Sequence, residues 1–291
     1  MISLSLSILA SCIIFILFKF FPKFGIDTFQ AIVFNYVTAC CCGFLLYGSS
    51  WRTNFLTQTS WMPFAFGAGV LFISLFLLMG RSTQVNGVAS TSVASKMSMV
   101  VSAIAMIFLF QEAYNGTKIL GFILAVCSVV LVTYSPNNID KDKENNQSSV
   151  MLIALFLGSG LLDILLTYNQ HVNPNPPASL FSAIGFGLAG CIGIIILIGN
   201  LYFKKNAFEF KNVLAGICLG IPNYFSIYLL LNAYRTSGLS ASSVLTCINV
   251  GVVCLSGILG LFLFKEVATR KKVLGLACAI ASILIIYISS L

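Results

Sequence analysis

The chain has 291 residues, 58 % of them hydrophobic and only 8 % charged, with a mean hydropathy of +0.99 and a formal net charge of +8. A soluble globular domain carries about 25 % charged residues, so water is excluded as the main solvent of this chain. No soluble face is left on which basic and aromatic residues could interleave to bind nucleic acid, and the ten-residue alternation of an outer-membrane barrel is absent.

The first apolar block, roughly residues 3–21, lacks a basic n-region and is already of full spanning length. It is expected to be a retained membrane helix, not a cleaved signal. Nine further blocks follow at roughly 29–47, 61–80, 88–110, 117–135, 150–169, 178–200, 212–233, 240–264 and 272–290. Each is near the twenty residues that cross a hydrocarbon core of about 30 Å. The expected class is therefore an all-α polytopic membrane protein with ten transmembrane helices. Nearly all of the ten cysteines fall inside these blocks, no C-x-x-C pair occurs, and His171 is the sole histidine. No zinc-type ligand set can be assembled from them, so neither a metal nor a cofactor is expected. Cys40, Cys41 and Cys42 point in three directions around a helix and read as small packing residues.

Within the second block, Asn35 is expected to make an interhelical hydrogen bond. The fourth block contains V-A-S-K-M-S-M-V-V-S-A, with Lys96 about seven residues, or roughly 10 Å, from its start. Ser92, Ser95, Lys96, Met99, Ser102 and Ala103 form a small, polar stripe opposite Val93, Val100, Val101 and Ile104. The block is followed by F-L-F-Q-E, residues 108–112. After block five comes S-P-N-N-I-D-K-D-K-E-N-N-Q-S-S, the longest polar connection, which divides the chain near its middle. Residues 136–149 read as a linker between a first five-helix unit, 1–135, and a second, 150–291.

Block six carries Asp163 about thirteen residues, or roughly 20 Å, along. Ser159, Gly160, Asp163, Thr167 and Gln170 share its face. Block eight holds G-I-C-L-G, whose small-xxx-small spacing lets helices approach closely. It also holds Pro222, which withdraws a backbone donor, then Asn223 and Tyr224. Asn249 lies in block nine, which runs into F-L-F-K-E at 262–266. Glu112 and Glu266, at the ends of blocks four and nine, are expected to cap or to pair with nearby bases.

The two halves repeat. Shifting the first by 151 positions sets Gly69 on Gly220, Leu78 on Leu229, Gly87 on Gly238 and Ser92-Val93 on Ser243-Val244. After a three-residue offset, F-L-F-Q-E falls on F-L-F-K-E and Leu120-Gly121 on Leu274-Gly275. Five is odd, so the halves must cross the membrane in opposite senses, the inverted repeat used by many secondary transporters with the substrate site between the repeats. This five-plus-five order, with F-L-F-x-E closing the fourth helix of each half and L-G opening the fifth, resembles the drug/metabolite transporter superfamily and its ten-helix EamA-type permeases. The family's prolines in the fourth helix of each half are absent. The resemblance implies a multi-pass permease of small metabolites in the cytoplasmic (inner) membrane, often an exporter and often coupled to protons or to exchange.

Lysine and arginine fall unevenly: twelve lie on one side of the alternating connections, only Arg52, Lys118 and Arg235 on the other, and Lys96 within a span. Basic loops stay cytoplasmic, which places both termini outside. The resemblance implies termini inside. The charge bias is large and runs through both halves, so it is followed here.

A charge buried as deeply as Lys96 or Asp163 costs at least about 2.5–3.5 kcal/mol. Three arrangements would relieve it. The two could pair directly, although their depths differ by about 10 Å on parallel helices; Lys96 could snorkel to the nearer face; or both could line a hydrated cavity. In the last case Lys96 receives an anionic group, and Asp163 receives an amine or carries a coupling proton. A zwitterion such as an amino acid would suit two such charges. The substrate-binding set is then Lys96, Asp163, Ser92, Met99, Ser159, Thr167, Asn223, Tyr224 and Asn249. The expected function is secondary transport of a small metabolite by alternating access, with the lipid bilayer as the other partner. A channel or a non-transporting membrane protein is the alternative. An enzyme is not expected, because one histidine and one mid-span carboxylate supply neither a triad nor an aspartyl dyad.

Overall fold

The computed structural model describes residues 2–47, 59–110, 116–133, 142–173, 178–202, 208–236, 241–267 and 269–289. Among them the only regular elements are helices. They are α1 (Ile2–Phe20), α2 (Thr28–Tyr47), α3 (Met62–Asn86), α4 (Val88–Met97), α5 (Met99–Phe110), α6 (Gly116–Thr133), α7 (Asp142–Val172), α8 (Ala178–Tyr202), α9 (Phe210–Thr236), α10 (Ala241–Phe262) and α11 (Arg270–Ser289). Six of these, α1, α2, α3, α7, α8 and α9, are long and apolar enough to cross a membrane. The fold is that of an all-α membrane protein.

Local chemistry sets the helix ends. Pro22 starts a short 3-10 turn after α1, and Gly25 closes it at φ 60°. The Asp27 carboxylate accepts the Gln30 amide at 2.8 Å, the N-cap bond that begins α2. Gly87 ends α3 at φ 89°, a conformation that only glycine adopts without strain. Pro222 lies within α9, which continues through it.

Two expectations need correction. Block four is not one helix: it breaks at Ser98 into α4 and α5. Ser92, Ser95, Ser98 and Ser102 each donate a hydroxyl to the carbonyl three residues back, at 2.6–3.3 Å. Such bonds compete with the helical ladder and bend it. The linker is also shorter than its polarity implied, since residues 142–149 form the first two turns of α7. Asp142, Lys143, Glu144 and Gln147 suit a helix once it projects past the apolar bundle. Residues 136–141, and Glu112, lie outside the described residues.

The connections sort to two ends. At one, Asp27 donates its amide to Asn212 at 3.0 Å, Asn86 meets Ser148, the Phe20 and Phe264 rings lie 5.3 Å apart, and Lys19 donates to the carbonyls of Thr83 and Gln84, both at 3.3 Å. At the other, Ser60 donates to Asn173 at 2.7 Å and Asn232 to Ser3 at 3.1 Å. Lys19, Lys23, Lys211, Lys265, Arg270, Lys271 and Lys272 all belong to the first, basic end.

Helices pack in matched pairs. α1 lies on α9 and on α10, while α7 lies on α3 and on α4–α5; α2 packs on α9 and α8 on α3; α2 meets α8, α4 meets α10 and α6 meets α11. The α2–α9 contact is backbone-close. A Cβ built at Gly216 would stand 2.7 Å from the Ala31 carbonyl oxygen, and one at Gly220 2.7 Å from that of Asn35. The small-residue spacing of G-I-C-L-G therefore does what it was expected to do. Asn35 does not: it is fully buried, and neither its side-chain oxygen nor its nitrogen finds a partner. Its backbone, not its side chain, meets the two glycines: a Cβ at Gly216 would stand 3.1 Å from the Asn35 amide nitrogen.

Candidate functional site

A cavity of about 250 Å³ opens between α1, α2, α3, α4, α7, α8 and α9. At about 30 Å³ per water-sized group, it holds a molecule of about eight non-hydrogen atoms. One wall is aromatic, built from Phe15, Tyr36, Phe72, Phe76 and Phe186. The Tyr36 hydroxyl donates to the Phe72 carbonyl at 2.6 Å, which fixes that ring against α3. Ser11, Ser95, Lys96, Ser159, Asp163, Asn223 and Ser226 supply the polar part of the lining.

Lys96 stands in the last turn of α4, just before the break. Its ammonium forms no hydrogen bond to another described residue. The described ion pairs are Lys211–Glu209 and Lys272–Glu266, so Lys96 and Asp163 lie more than 4.0 Å apart. Both side chains nevertheless line the same cavity. Direct pairing is thus not the arrangement adopted, and Lys96 does not reach past the cavity to a bundle end.

The Ser98 hydroxyl flanks Asp163, its oxygen 3.3 Å from the carboxylate, a second acceptor for the proton it otherwise gives to the Ser95 carbonyl at 2.6 Å. The depth gap of about 10 Å expected between the charges is smaller than that. Because Asn86 meets Ser148, depth is better counted from that contact, and the offset between Asp163 and Lys96 becomes about 7.5 Å at 1.5 Å per residue. The lateral approach is allowed by Gly160, where a Cβ would sit 2.6 Å from Val101 Cβ and 3.2 Å from the Ser98 carbonyl.

Of the expected binding residues, Lys96, Asp163, Ser159 and Asn223 come together on this cavity. Others are placed elsewhere. Ser92 accepts a hydrogen bond at 2.6 Å from Ser256 of α10, and Met99 takes one on its sulfur at 3.3 Å from Asn249. These three expected ligands, Ser92, Met99 and Asn249, thus occupy the interface of α4–α5 with α10, while Ser95 and Lys96, on the neighbouring strip of α4, line the cavity. Tyr224 is buried and stacks on Tyr228 at 6.0 Å, its hydroxyl without a partner. The side chain of Thr167 lies outside the described residues. The serines at 11, 95 and 226 and the aromatic wall were not anticipated as site residues. They sit on apolar helices, where a serine every few residues is also the ordinary packing pattern.

Asn223 is the clearest ligand-seeking group. It is 4 % exposed, lines the cavity, and its side-chain nitrogen has no partner. An unmade buried hydrogen bond costs about 1–3 kcal/mol. Asn223→Leu, which keeps the branched shape and grows into the cavity, should leave thermal stability unchanged or raise it. It should weaken ligand affinity about tenfold, the worth of one hydrogen bond to a charged group. Melting curves with and without ligand check both signs.

Among the described residues no three His, Cys, Asp or Glu side chains converge on one point. No family model matches the chain. A protein of Haemophilus influenzae described as uncharacterized is 28 % identical over 289 residues, covering 98 % of this chain and 97 % of its own. A protein of known crystal structure superposes with a TM-score of 0.61 at 12 % identity, over 96 % of this chain and 95 % of that one. At that identity the likeness concerns the fold alone, and it extends over nearly the whole of both chains.

Proposed function

We propose that this chain is a secondary transporter of small zwitterionic metabolites, amino acids or close relatives, working by alternating access in the cytoplasmic membrane. One observation carries the reading: an unpaired ammonium and a carboxylate face the same small cavity where helices of both halves of the chain meet. A zwitterion supplies the counter-charge each lacks, and the aromatic wall takes its apolar part.

The helix pairing supports an inverted repeat. Exchanging the first five apolar segments for the last five maps α1–α9 onto α7–α3, α2–α9 onto α8–α3, and α1–α10 onto α7 with α4–α5. It maps α2–α8, α4–α10 and α6–α11 onto themselves. On this reading the remaining helices α6, α10 and α11, and α4 with α5, complete ten spans. A bundle with this exchange has two conformations of similar energy, open to opposite sides, as alternating access requires. The F-L-F-x-E repeats and the arrangement of spans fit an EamA-type permease of the drug/metabolite transporter superfamily. The basic end is cytoplasmic by its charge, which puts both termini outside. Asp163, hydrogen-bonded but unpaired, is the residue to carry a coupling proton.

The test is flux into liposomes holding the purified protein, scanned over amino acids, nucleobases, sugars and organic cations. Uptake should saturate with solute concentration, be strongest for zwitterions, and lose its dependence on a pH gradient in Asp163→Asn. Flux linear in solute would point to a pore. Flux equally coupled in Asp163→Asn would move the proton elsewhere.

A further inference from the structure

At the basic end, far from the cavity's polar wall, one carboxylate joins two turns of the chain. Glu266, between α10 and α11, accepts the Val88 backbone amide at 2.6 Å, which caps the start of α4. Its other oxygen takes the Lys272 ammonium at 2.7 Å, and the two side chains are only 6 % and 4 % exposed. The fit depends on glycine: a Cβ at Gly87 would lie 2.5 Å from one carboxylate oxygen, and one at Gly260 2.9 Å from the other. The turn itself is shaped by Lys265 at φ 50°.

We propose that Glu266 is a latch. Its carboxylate holds the α3–α4 turn to the α10–α11 turn, keeps the basic end of the bundle closed over the cavity, and releases Val88 when that end opens. The inference rests on the alternating-access reading above, but it is tested separately from it.

Three features distinguish a latch from a fixed structural pair. First, the tie is made by one side chain across two turns, so a change in the partners of a single carboxylate separates a held from a released state. Second, a void of about 40 Å³, lined by Ala89, Leu261, Lys272, Val273 and Leu276, lies directly beside it, leaving room for the lysine to move. Third, the released carboxylate has other cations at hand, because Lys265, Arg270 and Lys271 on the same turns are exposed. A buried carboxylate that lost its partners without replacement would be costly; this one can exchange them.

α4 connects the latch to the site. It is ten residues long, is held at its first amide by Glu266, and ends in the turn that carries Lys96. A ligand anion drawn to Lys96 therefore pulls on the same short helix that Glu266 grips. Movement of α4 as a rigid piece, permitted by the break at Ser98, would transmit occupancy of the cavity to the closed end.

The experiment uses spin labels on the full chain in liposomes, with the native cysteines replaced. One pair, at exposed Val85 and Leu274, reads the basic end. A second, at exposed Leu6 and Val172, reads the opposite end. Without Glu266→Gln the basic-end pair should give one dominant short distance. With it, a longer distance should become the major population, and the opposite-end pair should shorten. If the basic end lengthens while the opposite end stays fixed, the latch stands and alternating access fails. If neither distance changes in folded, monodisperse Glu266→Gln protein, the latch is overturned. Should Glu266→Gln not fold, Glu266→Asp, which keeps the charge but retracts it, is read the same way, and unchanged distances again overturn the proposal.

Discussion

Lys96→Met is expected to reduce saturable uptake in liposomes at least about thirtyfold while raising the melting temperature of the purified protein. The two signs come from the same fact. An ammonium within the bundle costs about 2.5–3.5 kcal/mol, and among the described residues no carboxylate lies within 4.0 Å of it to offset that cost. Methionine matches the lysine stem and leaves the packing of α4 in place, so deleting the charge removes the penalty. Asp163 then loses a distant counter-charge, which returns part of the gain and leaves a net rise of about a kcal/mol. Transport has no such compensation. Removing one partner of a buried charged contact typically costs 2–5 kcal/mol, or roughly 30- to several thousand-fold at 1.4 kcal/mol per factor of ten. Flux assays and thermal denaturation on one preparation decide the matter. A variant that loses stability and flux together would make Lys96 a structural residue, and one that keeps its flux would remove it from the site.

How much of this could be read from the residues themselves depended on which force was acting. Apolar length sets where helices run, so blocks such as 29–47 and 178–200 coincide with α2 and α8 to within two residues. The polar residues after Asp142 misled for the converse reason: polarity reports exposure, and the first turns of α7 are helical though polar. The break at Ser98 was the costliest omission. With no glycine or proline inside block four, no ordinary breaker marked it. The signal was a run of serines three apart, at 92, 95 and 98, each able to bond the carbonyl a turn behind. Reading that run as one polar stripe placed Ser92 and Met99 in the cavity. Seven positions apart, the two share one helix side, and that side meets α10 at Ser256 and Asn249.

The charges were legible as a pair and not as a geometry. That Lys96 and Asp163 look inward follows from the cost of burying them. That they share a cavity without touching depends on Gly160, Ser98 and the starting level of α7, none of which hydropathy reports. Glu266 shows the same division. A carboxylate at a span end next to lysines was expected to cap or to pair, and it does both. Its reach to Val88, across 178 positions of sequence, required the folded contact between α4 and α10.

Gly216→Ala should be among the most destabilising single-methyl changes in the chain, by about 2–4 kcal/mol. The methyl would stand 2.5 Å from Phe34 Cβ and 2.7 Å from the Ala31 carbonyl oxygen. Neither atom is the free end of a flexible side chain, so α2 and α9 must move apart as rods. Their separation would strip close contacts along the whole seam, including Gly220 on Thr38 and Gly43 on Tyr224. In a bilayer, where apolar side chains gain little by leaving lipid, such packing supplies much of the drive for helix association. The same substitution at Gly199, which lies within α8 and has no atom within 4 Å of a built Cβ, should be neutral or stabilising by up to about 1 kcal/mol and serves as the control. Because α2 and α9 belong to different halves of the chain, the damage should extend beyond stability: surviving folded protein should transport more slowly at saturating solute. Equal melting temperatures for the two alanine variants would mean that the seam is looser in the membrane than its glycines imply, and the two halves would then have to be held together elsewhere.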